Sequence, residues 1–594
     1  MAIAIDRRAA LCRPGTRGLE MYYPSQKKPP RTLYKFPGGL HLPDNKAQST
    51  TESTVRAALP GKLVLPIHQH IGAPSQIAVQ VGDRVLKGEL IANPQGRISA
   101  AVHAPSSGTV CAVAEHAVPH PSGLPALCVV IETDGQDAWG ELPPAIDDFE
   151  HCEPGLLLER IRASGIVGMG GAAFPTSVKL EPENSRRIDT LVINGAECEP
   201  YITCDDMLMR ERPAEIVAGI AVMKRLTGAA NCLIGIEDNK PEAIAAMTRA
   251  VEQQGVADIE LVVIPTLYPS GGERQLIRVL TGKEVPSGGF PAHIGVVCNN
   301  VGTAKAVADA VLLGRPLISR YITLTGEGVA NPCNLEVLIG TRSNELIAQA
   351  GGYTGREQRL IMGGPMMGFT LHADNVPIVK ASNCLLAASA REAPNPGPAT
   401  ACIRCGMCAE VCPVSLLPQQ MYWHARAKDL EKTQEYHLFD CIECGCCSHV
   451  CPAHIPLVQY FRFAKNESWD QERERKSAEL ARRRHEAKLA RLALLEAEKI
   501  ARAQKKKAAL ARSKPANRET DAGSDPKKAA IEAALKRAAE KKARLAQQGV
   551  KPQNTDNLTD AQRRQIQQAD TRREQLTDNV VSDDSAQTGA SKDS

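Results

Sequence analysis

Two short runs of cysteine constrain this 594-residue chain more than any other feature. The first is Cys402-x-x-Cys405-x-x-Cys408-x-x-x-Cys412-Pro413, and the second repeats it as Cys441-x-x-Cys444-x-x-Cys447-x-x-x-Cys451-Pro452. Three thiolates at this spacing wrap three corners of an iron-sulfur cube, while the fourth points away and ligates a neighbouring cluster. The repeat therefore predicts two [4Fe-4S] clusters with crossed ligation. Cys402, Cys405, Cys408 and Cys451 hold one; Cys441, Cys444, Cys447 and Cys412 hold the other. The prolines end each tight loop. Zinc is the competing reading, but zinc sites pair two short cysteine motifs across a longer insert and have no use for a third and fourth thiol followed by proline. Cys446 falls outside the spacing and is left unligated.

Charge and hydropathy narrow the setting. Residues 471–594 hold 29 Lys/Arg against 19 Asp/Glu, whereas the rest of the chain has an acidic excess of six. Nucleic-acid binding by the body is thereby disfavoured. No stretch approaches the roughly 18 to 20 apolar residues that a spanning helix needs, and the N-terminal MAIAIDRRAALCRPG lacks a long apolar core with a cleavage site. The chain is expected to be intracellular and not itself embedded in a bilayer. In a reducing compartment, nine cysteines between Cys402 and Cys451 serve metal or redox chemistry and not disulfides.

The pattern along the chain predicts a multidomain α/β protein. Residues 1–33 read as a disordered leader. Residues 34–135 are β-rich, with VQVGDRVLKGEL and APSSGTV repeating a strand-turn-strand rhythm. They resemble a biotinyl/lipoyl-like barrel, but the tip stretch ANPQGRISA holds no lysine to modify, so the barrel is structural. Over 136–315, the strands 188–194, 231–237 and 259–265 alternate with helices at 207–226, 241–253 and 273–280, which implies a largely parallel sheet. Residues 316–383 form a compact β-grasp (SLBB-like) module, and 384–465 carry the cysteines on loops between helices. From 466 to 594 the chain is an Ala/Lys/Arg-rich basic tail without a sustained heptad, expected to be disordered or partly helical, whose charge suits an anionic membrane face. His41, His68, His70, His103 and His293 have no paired ligand spacing and are read as surface or core residues.

A donor for the clusters is suggested by Gly165 to Lys179, GIVGMGGAAFPTSVK. Gly168-x-Gly170-x-x-Ala173 follows a helical stretch, so it is not the strand-to-helix turn of the dinucleotide fingerprint. Its glycines nevertheless let backbone N–H groups approach a phosphate or a flavin ring, with Lys179 able to neutralise charge. Asn194-Gly-Ala-Glu197-Cys198-Glu199-Pro200 follows at the carboxyl end of a predicted parallel strand, where ligands bind.

The segments GMGGAAFPTSVK, NGAECEPYITCDD, YPSGGERQ and CNNVGT, in that order, resemble the flavin- and NADH-binding subunit of respiratory complex I. With the barrel before and the β-grasp module and two clusters after, residues 34–465 resemble the RnfC family of Rnf/Rsx-type ion-translocating electron transport complexes. By position, the resemblance implies that Gly168, Gly170, Gly171 and Lys179 line FMN's phosphate and ring. It implies that Asn194, Glu197, Asn299, Asn300 and Thr303 hold the flavin's polar edge, and that Phe174 and Glu273 face the nicotinamide. Met169, Ala196, Gly272 and Gly302 stand where the complex I segments carry Arg, Asp, Glu and Glu, which removes charge near the nucleotide.

The implied activity is an oxidoreductase subunit passing electrons from NADH through noncovalent FMN to two [4Fe-4S] clusters. The implied partners are integral membrane subunits, which would move the ion, and another iron-sulfur subunit. The chain itself would be peripheral, on the cytoplasmic side of a bacterial inner membrane. A soluble flavo-iron-sulfur NADH dehydrogenase is the alternative, and a scaffold or ligand-binding module is a third reading that eight spaced thiols oppose.

Overall fold

The computed structural model describes residues 31–181, 187–256, 258–395, 397–512, 526–547 and 567. Most of the leader expected over 1–33 lies outside the described residues, as does most of the tail beyond 547. The last leader residues are docked: Arg31 pairs with Glu260 at 2.8 Å, and Leu33 packs against the α/β core. The chain forms two compact units, residues 1–480 and 481–594.

The barrel region contributes eight strands, β1 (Val55–Arg56), β2 (Lys62–Pro66), β3 (Gln76–Ile77), β4 (Arg84–Val85), β5 (Leu90–Asn93), β6 (Val102–His103), β7 (Gly108–Ala117) and β8 (Pro125–Thr133). They build sheets ordered β2-β8-β7-β4 and β3-β5-β6 around Leu63, Leu65, Ile91, Val110 and Ile131. The strand β1 leaves them and pairs in parallel with the β-grasp sheet.

The α/β layer begins with α1 (Pro154–Ala163) and α2 (Thr176–Leu180). A parallel sheet ordered β11-β10-β9-β12 follows, from β9 (Thr190–Gly195), β10 (Asn231–Glu237), β11 (Ile259–Ile264) and β12 (Val296–Asn300). Its inner strands carry apolar middles, Leu191 to Ile193 in β9 and Cys232 to Ile236 in β10, because helices cover both faces. The helix expected over 207–226 is two, α3 (Cys204–Glu211) and α4 (Pro213–Thr227). Pro213 lacks the N–H to continue the first and has the φ to begin the second. The layer is completed by α5 (Pro241–Gln254), α6 (Glu273–Thr281) and α7 (Val301–Leu312).

The β-grasp module holds β13 (Ser319–Thr325), β14 (Cys333–Leu338), α8 (Ser343–Gln349), β15 (Glu357–Met362) and β16 (Phe369–Thr370). Its sheet is ordered β1-β14-β13-β17-β15-β16, so β17 (Cys384–Ser389) is an inner strand of this sheet. A boundary at 383/384 would cut it away; all six of its residues are buried. The cysteine region follows on short helices α9 (Met407–Glu410), α10 (Pro418–Arg426), α11 (Leu430–Glu435) and α12 (Cys446–His449). The start of α13 (Leu457–Arg512) packs there through Leu457, Val458 and Phe461. In the second unit the described residues are 481–512 of α13, which are exposed, α14 (Pro526–Gln547) and residue 567. Among the described residues no helix is long and apolar enough to cross a membrane.

Candidate cofactor sites

The glycine loop is an excursion between α1 and α2, closed at its neck. Gly168 N–H donates to the Phe174 carbonyl at 2.8 Å, and Val167 bridges Pro175. Its apex, Gly170-Gly171-Ala172, is exposed. Gly171 has φ +129°, a conformation that L side chains rarely adopt, and a Cβ built there meets nothing within 4 Å, so the apex is open to a ligand. Phe174 is half-buried, and Met169 N–H donates to Thr303 Oγ1 at 3.0 Å, joining the loop to α7.

The carboxyl ends of β9 and β12 supply the polar residues. Asn194 donates to the Gly271 carbonyl at 2.8 Å and accepts from Ala196 N–H at 3.1 Å. Asn300 caps α7 by accepting from Gly302 N–H at 2.8 Å, and donates to Asp205 at 2.6 Å. The Glu197 carboxylate accepts from the N–H groups of Asp205 (2.7 Å) and Asp206 (3.2 Å) at the start of α3; burial raises its pKa, with Asp205 adding to the rise. Lys46, from the segment before the barrel, donates to the carbonyls of Glu197 and Glu199 at 2.9 and 3.0 Å. Asn299 is different: it is buried, and its amide nitrogen has no partner among the described residues. Lys179 and Glu273 form an ion pair of 2.5 Å beside Cys298. The structure thus brings these two together, where the resemblance divides them between phosphate and nicotinamide.

The cysteines separate into two cavities. Cys402, Cys405, Cys408 and Cys451 line one, with Gln419 and Tyr422. Cys412, Cys441, Cys444 and Cys447 line the other, with Met421 and Phe461, and Cys446 also borders it. The two differ in setting. Cys405 is exposed and its neighbour Ile403 is 67% exposed, whereas Cys444 and Cys447 are buried. Lys465 donates to the Cys441 carbonyl and to Glu443, each at 2.7 Å. Burial pushes the Cys441 thiol up to about 11.

Tyr268 connects the two regions. Its hydroxyl donates to the Cys444 carbonyl at 2.7 Å, and its ring lies in a buried cluster with Cys446, Cys198 and Met366. Glu199 accepts from Met366 and Met367 N–H at 2.7 and 2.9 Å, tying the β9 loop to the β-grasp module. Tyr268 stands in the YPSGGERQ segment and Glu199 in NGAECEP, yet no ligand pattern singles out either of them or Lys46, because their partners are 151 to 176 residues away. Only long-range geometry reveals them.

The residues fit the groups expected. The orphaned Asn299 amide and the open glycine apex offer donors to a ligand rich in acceptors, as FMN is. Four soft thiols around each cavity are the donor set of a [4Fe-4S] cluster.

Family models match four segments in order: an RnfC barrel sandwich hybrid domain at 34–136, a Nuo51 FMN-binding domain at 161–309, an SLBB domain at 321–370 and a 4Fe-4S dicluster domain at 398–455. Two relatives are each named as the C subunit of an ion-translocating oxidoreductase complex. The one from Pseudomonas aeruginosa is 55% identical over 460 residues, covering 77% of this chain and 59% of the relative. The one from Serratia proteamaculans is 48% identical over 505 residues, covering 85% and 69%. A solved chain of an NAD+-reducing [NiFe]-hydrogenase in the H2-reduced state shares 23% identity with a TM-score of 0.38, over 51% of this chain and 61% of that one.

Proposed function

We propose, because this chain belongs to the RnfC family of ion-translocating oxidoreductase complexes, that it is the electron-input subunit of such a complex, taking electrons from NADH. The observation that carries the proposal is the joining of the flavin-type loops to a four-thiol cavity through Tyr268, with a second four-thiol cavity beyond it opening toward solvent.

FMN, when bound, would accept the two electrons of a hydride and release them one at a time, and [4Fe-4S] clusters would carry them singly. The chain's part is to hold and insulate. Gly168, Gly170 and Gly171 present backbone at the ligand, Asn299 supplies an amide donor, and Thr303 anchors the loop by accepting from Met169. Asn194, Glu197 and Asn300 act on the backbone and on Asp205, so their role is to shape the site. Phe174 and the Lys179–Glu273 pair border the nicotinamide side, and the pair leaves Lys179 free for phosphate only when Glu273 turns away. Cys402, Cys405, Cys408 and Cys451 hold the outer cluster; Cys412, Cys441, Cys444 and Cys447 hold the inner one. Of the inner thiols, Cys412, Cys444 and Cys447 are buried, with Cys444 packed against Tyr268, which keeps water from that centre. The exposed Cys405 loop is the natural outlet to another iron-sulfur subunit.

Ion movement belongs to integral membrane partners, with this chain peripheral on the cytoplasmic face of the inner membrane. Anaerobic purification with iron, sulfide and flavin analysis tests the proposal: about eight irons and one noncovalent flavin are expected, with EPR signals developing on NADH addition. Colourless protein, or clusters that NADH leaves oxidised, would overturn it. Co-purification with membrane subunits separates it from a soluble dehydrogenase.

A further inference from the structure

Arg320 is a buried cation that none of the sequence motifs contains. It lies on β13 of the β-grasp module, 5% exposed, and donates to the carbonyls of Lys380 and, at 3.3 Å, Met169. Among the described residues it forms no ion pair; Cys204 and Asp205 act on it at longer range, while burial lowers its pKa. Burying a guanidinium without a directly paired carboxylate is costly, so its placement calls for a reason.

The geometry of the peptide unit supplies one. The bond between Met169 and Gly170 is trans, so the Met169 carbonyl and the Gly170 N–H point in opposite directions. Arg320 draws that carbonyl inward, which turns the Gly170 N–H outward, to the exposed apex. On the other side of Met169, its own N–H is held by Thr303 Oγ1 at 3.0 Å. Both peptide planes flanking Met169 are therefore pinned. Lys380 secures the root of the same loop: its Nζ donates to the carbonyls of Gly165 and of Ala101 in the barrel, each at 2.6 Å, and its N–H donates to Gln69 Oε1 at 3.1 Å.

We infer that Arg320, backed by Lys380, is a positioning residue for the flavin loop: it aims the Gly170 amide at the ligand and places a fixed positive charge behind it. A preorganised donor and a desolvated cation both favour an anionic group in front of the loop. The β-grasp module, distant in sequence, thereby becomes part of the cofactor site. The inference rests on the proposed binding of FMN at this loop.

The test compares the full cluster-loaded chain with Arg320→Met and Arg320→Lys, using FMN fluorescence titration and redox titration of the bound flavin. Arg320→Met should weaken FMN binding at least tenfold and move the flavin potential to more negative values, with iron content and cluster EPR unchanged. Arg320→Lys should restore the potential while recovering only part of the affinity, because it keeps the charge and loses the planar fork. If Arg320→Met does not fold, Arg320→Lys decides: weakened FMN binding at an unshifted potential supports the role, and wild-type affinity overturns it. Arg320→Met with normal iron and wild-type affinity and potential overturns it as well. A wild-type chain that takes up no FMN removes the reading of the loop itself, whereas variants that match a flavin-loaded wild type remove only the role of Arg320.

Discussion

The Tyr268 hydroxyl donates to the backbone carbonyl of Cys444 across 2.7 Å, inside a region closed to solvent. One residue thus belongs to the α/β layer by sequence and to the inner cysteine loop by contact. Tyr268→Phe keeps the ring and strands the carbonyl, at a cost of about 1 to 3 kcal/mol. The expected result is a shifted potential and altered EPR signal for the inner cluster, with the outer cluster unchanged. Redox titration followed by EPR checks it, and equal shifts in both clusters would argue against the assignment.

The crossed grouping of thiols predicts selective losses. Cys412→Ala should empty the cavity lined mainly by the second motif, and Cys451→Ala the cavity lined mainly by the first. Each variant should retain about four irons of about eight. Iron analysis with EPR distinguishes this from uncrossed ligation, in which each substitution would damage the cluster of its own motif.

Helices α4 and α7 touch at Gly219, where an added Cβ would lie 1.8 Å from the Ala304 carbonyl oxygen. Gly219→Ala must push α7 away, and α7 carries Thr303 in its first turn, after its capping residue Asn300. Overpacking of this kind costs about 1 to 3 kcal/mol. Thermal denaturation should show the loss, and FMN titration should show weaker binding because the Met169 anchor moves with the helix.

His103 in β6 gives the barrel a pH dependence. Burial pulls its pKa from 6.5 to about 3, with Lys380 nearby adding to the fall. Its folded form stays neutral while the unfolded chain takes up a proton below about pH 6.5, so stability is lost as pH falls from there toward 3. The loss at about pH 5 should reach about 2 kcal/mol relative to about pH 7. Urea unfolding at both pH values checks this, and His103→Leu should flatten the difference. A wild-type slope in the variant would assign the acid sensitivity elsewhere.

The periodic parts of this chain are determined locally. The β10 strand, Asn231–Glu237, coincides with the expected run because its apolar residues have no alternative to a covered parallel sheet. The first three thiols of each run are equally local, since their spacing lets a single loop reach three corners of a cube, whereas the fourth comes from the other run. The exceptions have physical causes. Pro213 breaks a helix that apolar periodicity alone continues, and Cys384–Ser389 joins the β-grasp sheet because its register partners, Leu324 and Ile361 among them, lie well earlier in the chain. The site followed the same division. Glycines and thiols announced themselves by pattern, but the orphaned Asn299 amide, the Lys179–Glu273 pair, the Tyr268 bond and the hold of Arg320 on Met169 arise only when distant segments pack. Pattern specifies which groups a chain offers; hydrogen bonds between residues far apart in sequence depend on folding to set their distances and exclude water.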